Sequence, residues 1–251
     1  MTVTYRLENG IAVLTLDDVA RHNALSRAMI TELNRLHAKS ISDGARAVVV
    51  GANGASFCAG ANIDDLRSGW MEGGDPDTDP LYFFRRIATD RRVTIAAVQG
   101  IAAGGGLELT LACDLVVAGE RANFLAPELG HGVIPPLGIA LLPHVVGRHR
   151  AMDMVLTRRK VGVEEAVRIG LATHRAEQDD VISSAVALAS SIVEKVPPGA
   201  LSVAKQQLGR HQPLDWEGIF SSSGEVPAAE WQEGLDAFME KRRPDFGKFW
   251  G

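Results

Sequence analysis

Thr94-Ile95-Ala96-Ala97-Val98-Gln99-Gly100-Ile101-Ala102-Ala103-Gly104-Gly105-Gly106-Leu107-Glu108 runs from an apolar stretch into a cluster of small residues and then into a helix-forming segment. An unbroken run of β-branched and small apolar residues is what a strand covered on both faces requires, since a half-exposed strand would alternate with polar residues. Three successive glycines at the mouth of a helix leave N–H groups that the helix does not satisfy, at its positive end, where developing negative charge is favoured. Close packing of that helix on a strand would demand small residues equally well. The motif alone therefore leaves an anion-stabilising loop and a packing contact both open.

Outward from this stretch the same grammar recurs. Ala45 to Val50 is a second buried-strand run, followed by the small-residue loop Gly54-Ala55-Ser56-Phe57-Cys58-Ala59-Gly60-Ala61-Asn62, and Leu115 to Ala118 is a third. Alternating strand, loop and helix predicts an α/β fold with its site in the loops after the strands. Further towards the N-terminus, Thr4 to Asp17 alternates around Asn9-Gly10 and predicts a hairpin with a type I′ turn. Ser26 is placed to cap a helix whose stripe is Met29, Ile30, Leu33 and Leu36, with Asp43-Gly44 as its stop.

Gly73-Gly74-Asp75-Pro76-Asp77-Thr78-Asp79-Pro80 has no apolar residue to anchor it and predicts a mobile surface loop. From about Leu137 helical patterns dominate, including Val181 to Val193 and, after Pro197-Pro198-Gly199, Ala200 to Leu208. A boundary near residue 195 separates a core from a helical C-terminal piece.

The chain has 251 residues, 46% of them hydrophobic, enough for a substantial core. With 26 basic against 31 acidic side chains the net charge is −5, which argues against nucleic acid or an anionic membrane as the main partner. The segment Met1-Thr2-Val3-Thr4-Tyr5-Arg6 lacks the apolar region of a signal peptide, and no apolar stretch is long enough to span a bilayer, so a cytoplasmic protein is expected. Cys58 and Cys113 form no Cys-x-x-Cys pair and read as buried free thiols, and the seven histidines form no metal-ligand pattern, so no metal is expected.

Neither glycine-rich loop continues into a P-loop or Gly-x-Gly-x-x-Gly spacing, and no Gly-x-Ser-x-Gly elbow is present, which removes support for nucleotide hydrolysis and for a hydrolytic triad. Two carboxylates remain. Glu108 falls in the first turn of the glycine-rich helix, whose dipole should keep it ionised; Glu128 follows Pro127 between Leu125 and Leu129, whose apolar character should favour its protonated form. Such a pair can divide acid and base roles, although taken singly Glu108 reads more simply as a helix-dipole carboxylate and Glu128 as a surface or helix-terminal acid after proline.

In combination these segments resemble the enoyl-CoA hydratase/isomerase (crotonase) superfamily, whose oxyanion loops carry sequences like Phe57-Cys58-Ala59-Gly60-Ala61 and Ala103-Gly104-Gly105-Gly106-Leu107-Glu108-Leu109. The resemblance extends to Arg21-His22-Asn23-Ala24-Leu25-Ser26, to Leu111-Ala112-Cys113-Asp114-Leu115 and to the tail from Glu233 to Phe246. It implies a crotonase-like α/β spiral of ββα units over residues 1–195, holding the active site. Residues 196–251 become a helical oligomerisation region that builds a homotrimer or a dimer of trimers.

By the same resemblance Ala61 and Gly105 supply the amides of an oxyanion hole for an acyl-CoA thioester, and Glu108 and Glu128 match the two glutamates that hydratases place around the attacking water. Coenzyme A belongs to the substrate, so no separate cofactor is implied. Its contacts fall on Arg21 and Lys241, on backbone at Ala24, Ala59 and Ile63, on Asn62 where an Asp is common, and on Phe238, which can serve intersubunit packing instead. His131 can enter the pocket, but an ordinary loop histidine is the simpler reading.

One departure stands out: the family's Ile-Pro-Gly, whose glycine amide helps orient the water, is Ile134-Pro135-Pro136 here, and proline has no N–H. Hydration of a 2-enoyl-CoA leads, with an isomerase, decarboxylase or thioester hydrolase as alternatives on the same scaffold. A noncatalytic acyl-CoA- or partner-binding protein is the alternative of another class.

Overall fold

The computed structural model describes residues 2–70, 74–177, 180–210 and 214–249. Val3–Glu8 (β1) and Ile11–Leu16 (β2) form the hairpin, with Asn9 and Gly10 at φ 51° and 78°, the left-handed pair that a type I′ turn needs. Eight strands follow: Ala47–Ala52 (β3), Ser56–Cys58 (β4), Val93–Val98 (β5), Ile101–Ala103 (β6), Leu115–Ala118 (β7), Asn123–Leu125 (β8), Val161–Gly162 (β9) and His174–Arg175 (β10).

They build two sheets, one ordered β1-β2-β3-β5-β7-β10 and one ordered β4-β6-β8-β9. The large sheet is parallel from β2 onward. Three successive passes, β3 with β4, β5 with β6 and β7 with β8, each lay one strand in the large sheet and one in the small sheet before a helical segment, which is a spiral of ββα units. The short strands β4 and β6 lie inside the two small-residue segments that read as loops; at three residues each, they are held by pairing across successive passes, β4 with β6 and β6 with β8.

The helices are Arg27–Ser42 (α1), Ile63–Arg67 (α2), Pro80–Ala88 (α3), Gly105–Ala112 (α4), Pro136–Val146 (α5), Arg148–Thr157 (α6), Val163–Ile169 (α7), Val181–Lys195 (α8), Pro198–Arg210 (α9), Trp216–Ser222 (α10) and Ala228–Met239 (α11). α1 starts as its sequence predicts, with Ser26 Oγ accepting from the Met29 amide at 3.2 Å. The buried runs alternate with the period of a strand. Val48, Val50, Leu14 and Leu16 enter the core shared with α1, whereas Val49, Val13, Ile11 and Ala47 face the opposite side, covered by Val181, Ala185 and Ala189 of α8. Coverage on both faces is the reason these strands carry no polar alternation.

The acidic segment differs from expectation. Residue 73 lies outside the described residues, but from Asp75 to Asp79 the chain forms a hydrogen-bonded turn, with the Asp75 carboxylate accepting from the Asp77 amide and the Thr78 hydroxyl. The anchor comes from outside the segment: the buried Trp70 indole donates to Thr78 O at 2.7 Å. Asp79 is itself buried and caps α3 by accepting from the Leu81 amide. Cys58 and Cys113 are buried free thiols, as read, and burial pushes the Cys58 thiol up to about 12. Among the described residues no helix is long and apolar enough to cross a membrane.

Candidate active site

A cleft of about 910 Å³ opens where the small sheet, α4 and α11 meet. Its floor is built by the isolated bridge between Leu25 and Ala61. In that bridge the Leu25 amide donates to Gly60 O and the Asn62 amide donates to Leu25 O. The intervening Ala61 amide therefore faces away from Leu25 and, among the described residues, donates to no protein acceptor. The Gly105 amide opens α4, where no helical carbonyl precedes it, and likewise has no protein acceptor among the described residues. The two lie side by side: a Cβ built on Gly105 would stand 3.8 Å from Ala61 N, and one on Gly60 would stand 3.7 Å from Gly105 N.

The triple glycine divides three tasks. A Cβ on Gly106 would come 2.4 Å from Cys58 O, so that glycine serves close packing of α4 on β4; Gly105 presents its amide to the cleft; a Cβ on Gly104 would come 2.9 Å from Glu128 Oε1. Packing and amide presentation, which the sequence left as alternatives, are both present.

Glu108 and Glu128 enter the cleft from different elements. Glu108 sits in the first turn of α4, 5% exposed, and its Oε1 accepts from the Leu137 amide at 2.8 Å and the Gly138 amide at 3.0 Å. Both donors lie at the N-terminus of α5, directly after Pro136, so the amides that follow the proline are turned onto Glu108. Glu128 begins the 3-10 turn Glu128–His131; it is buried, and its Oε2 has no partner among the described residues.

Burial raises the proton affinity of both carboxyls. For Glu108 it outweighs the two amides, so the pKa-lowering influence expected from the helix terminus does not prevail: its pKa lies above the ordinary glutamate range. For Glu128 burial acts first and the neighbouring Glu108 charge adds to it, in the direction read from the sequence.

Arg21, Ala24, Ala59, Ala61, Asn62, Ile63, Gly105, Glu108, Glu128 and Phe238 all line this one cleft. Arg21 stands largely exposed, beside Asp18 at 3.4 Å. Asn62 uses its side-chain oxygen to cap α2, accepting from the Asp64 and Asp65 amides at 3.0 and 3.2 Å. His131 reaches the cleft and meets Phe238 edge to face at 5.2 Å between centroids.

Lys241 is not brought to the cleft. It follows α11 at φ 53° and lines an adjoining cavity of about 730 Å³ together with Arg158 and Arg242. The sequence reading missed the apolar wall, formed by Leu25, Phe84, Trp231, Leu235 and others; large apolar residues carry no signal that separates a ligand wall from ordinary core.

The family profile for enoyl-CoA hydratase/isomerase matches residues 6–248. The chain belongs to that family. It is 35% identical to a probable enoyl-CoA hydratase of Rhodobacter capsulatus over 257 residues, covering 98% of this chain and 97% of the relative. It is 32% identical to the 2,3-dehydroadipyl-CoA hydratase of Escherichia coli K12 over 246 residues, covering 95% and 96%. The crystal structure of an enoyl-CoA hydratase/isomerase from Pseudoalteromonas atlantica T6c superposes with a TM-score of 0.87 at 30% identity, covering 98% of this chain and all of that one. The enoyl-CoA hydratase/isomerase fold implied by the motifs is thus present over nearly the whole chain.

Proposed function

We propose that this member of the enoyl-CoA hydratase/isomerase family adds water across the 2,3 double bond of an enoyl-CoA thioester. The observation that carries the reading is the convergence of two buried carboxyls, Glu108 and Glu128, on the same cleft as the Ala61 and Gly105 amides, which have no protein acceptor among the described residues. The amides form an oxyanion hole that accepts the thioester oxygen as it becomes enolate-like, each such donor being worth about 10²–10³ in rate.

Glu108, oriented by the Leu137 and Gly138 amides, takes a proton from the water whose oxygen bonds to the β-carbon. Glu128, held protonated, gives its proton to the α-carbon, and transfer of one proton from Glu108 to Glu128 resets the pair. Positioned acid and base groups supply roughly 10²–10⁴-fold each. Arg21 and the backbone at Ala24, Ala59 and Ile63 hold the coenzyme A part of the substrate, and no separate cofactor enters. The assembly proposed from the family is a homotrimer or dimer of trimers, open to light scattering.

Purified protein should hydrate 2-enoyl-CoA substrates, read as loss of enoyl absorbance and a product heavier by one water. Glu108→Gln and Glu128→Gln should each lose at least about 100-fold in kcat while retaining acyl-CoA affinity. No hydration at any chain length would sink the reading. Double-bond isomerisation is the second reading, favoured by Pro136, and it gives a product of unchanged mass.

A further inference from the structure

The charge distribution of the cleft narrows the acyl group. Among the described residues that line it, Arg21 is the one Lys or Arg, and it stands largely exposed beside Asp18. Against this single cation stand three carboxyls, Asp64, Glu108 and Glu128, the last two buried. Next to the Gly105 amide the wall turns apolar: a Cβ on Gly105 would touch Leu25 Cδ1 at 3.1 Å and Phe84 Cζ at 3.8 Å. Leu66, Ile134, Phe220, Trp231 and Leu235 continue that wall from α2, the segment before α5, α10 and α11. His131 is the remaining titratable group, and burial followed by the nearby Arg158 charge lowers its proton affinity, so it presents a neutral ring.

Building on the acyl-CoA reading above, we infer that the cleft selects acyl groups that end in an uncharged aliphatic or aromatic group and rejects those that end in a carboxylate. An apolar tail gains about 4-fold in affinity for each methylene it buries. A terminal carboxylate entering the same wall gives up its hydration, finds among the described lining residues no cation but the exposed Arg21, and approaches Glu108, the ionised member of the carboxyl pair, as a like charge. The selection is electrostatic rather than steric, because the wall is assembled from separate elements around an open volume.

The test compares trans-2-hexenoyl-CoA with 2,3-dehydroadipyl-CoA, which have the same acyl carbon count, by kcat/KM. It also compares hexanoyl-CoA, adipoyl-CoA and the adipoyl-CoA methyl ester by calorimetric Kd, which requires no turnover. The expected result is a kcat/KM ratio of about 100 or more in favour of hexenoyl-CoA, a Kd ratio of at least about 10 in the same direction, and an ester that binds like hexanoyl-CoA. Acid and alkyl ligands within about 3-fold of each other overturn the inference, and so does an ester rejected as strongly as the acid, since that selection is by size. Should neither enoyl substrate turn over, the hydration reading fails while the Kd ratios alone decide this inference.

Discussion

Gly104 leaves empty the space that Glu128 occupies: a Cβ on Gly104 would stand 2.9 Å from Glu128 Oε1. Gly104 also holds φ 55° and ψ −126°, a region closed to residues with a side chain. A methyl group at this position must push the carboxyl away from the cleft or distort the entry to α4. We therefore expect Gly104→Ala to lower kcat at least about 100-fold, since displacement of a reacting group by an ångström costs that much, and to lower Tm by several degrees. Steady-state turnover and thermal melts check this; an alanine variant of full activity would detach Glu128 from the chemistry.

The parts legible in the sequence are those whose signals are local. The Asn9-Gly10 turn, the Ser26 cap and the buried runs of β3, β5 and β7 each carry their cause within a few residues. The small-sheet strands were hidden because three-residue strands have no period to read and pair only across passes of the spiral. The raised pKa of Glu108 was hidden too: its helix-terminal position is local, but the burial that overrides it comes from tertiary packing that includes α5, whose amides lie 29 and 30 residues away. Asn34, His37 and Ser40 of α1 are buried as well, His37 against Asp90 at 2.7 Å, and no local pattern announces polar residues at buried positions. Lys241 sits in a motif that points to coenzyme A, yet at the left-handed bend after α11 it lines the adjoining cavity instead.

The buried acids carry a pH-dependent cost to stability. Glu128 has its folded pKa raised above the unfolded value of about 4.5, so the folded state binds the extra proton and stability falls as pH rises from that value through the raised one. Glu128→Gln keeps the shape and removes the charge. The variant should melt at about the same temperature as the parent near pH 4.5 and progressively above it as pH increases. Thermal melts from pH 5 to 9 read the difference; a gap that closes with rising pH would contradict a raised pKa.

Pro136 occupies the first turn of α5, where an N–H is dispensable, and the next two amides already bind Glu108. Pro136→Gly adds a third amide beside them. Stability should drop by about 0.5–1 kcal/mol through the looser unfolded chain. Turnover should stay within about 5-fold, because one further donor adds little to an acceptor already held by two. Denaturant titration and kcat are the measurements. A 100-fold rise in hydration would instead mean that the attacking water lacks a donor in the native chain.

Asn62 separates a positioning role from a ligand role. Its Oδ1 accepts from two amides at the start of α2, and the residue immediately before it is Ala61, whose amide faces the cleft. Because the oxygen is committed to the cap, its contribution to catalysis runs through the orientation of the Ala61 N–H. Asn62→Asp preserves the cap and places a negative charge at a helix N-terminus, where charge is favoured, so its kcat and stability should match the parent closely. Asn62→Ala removes the cap, which costs about 1 kcal/mol. The freed loop should lower kcat about 10-fold or more while KM moves little, since the amide acts on charge that develops in the transition state. A direct substrate ligand would behave differently: KM would rise in the alanine variant, and aspartate, with its added charge, would fail to rescue it.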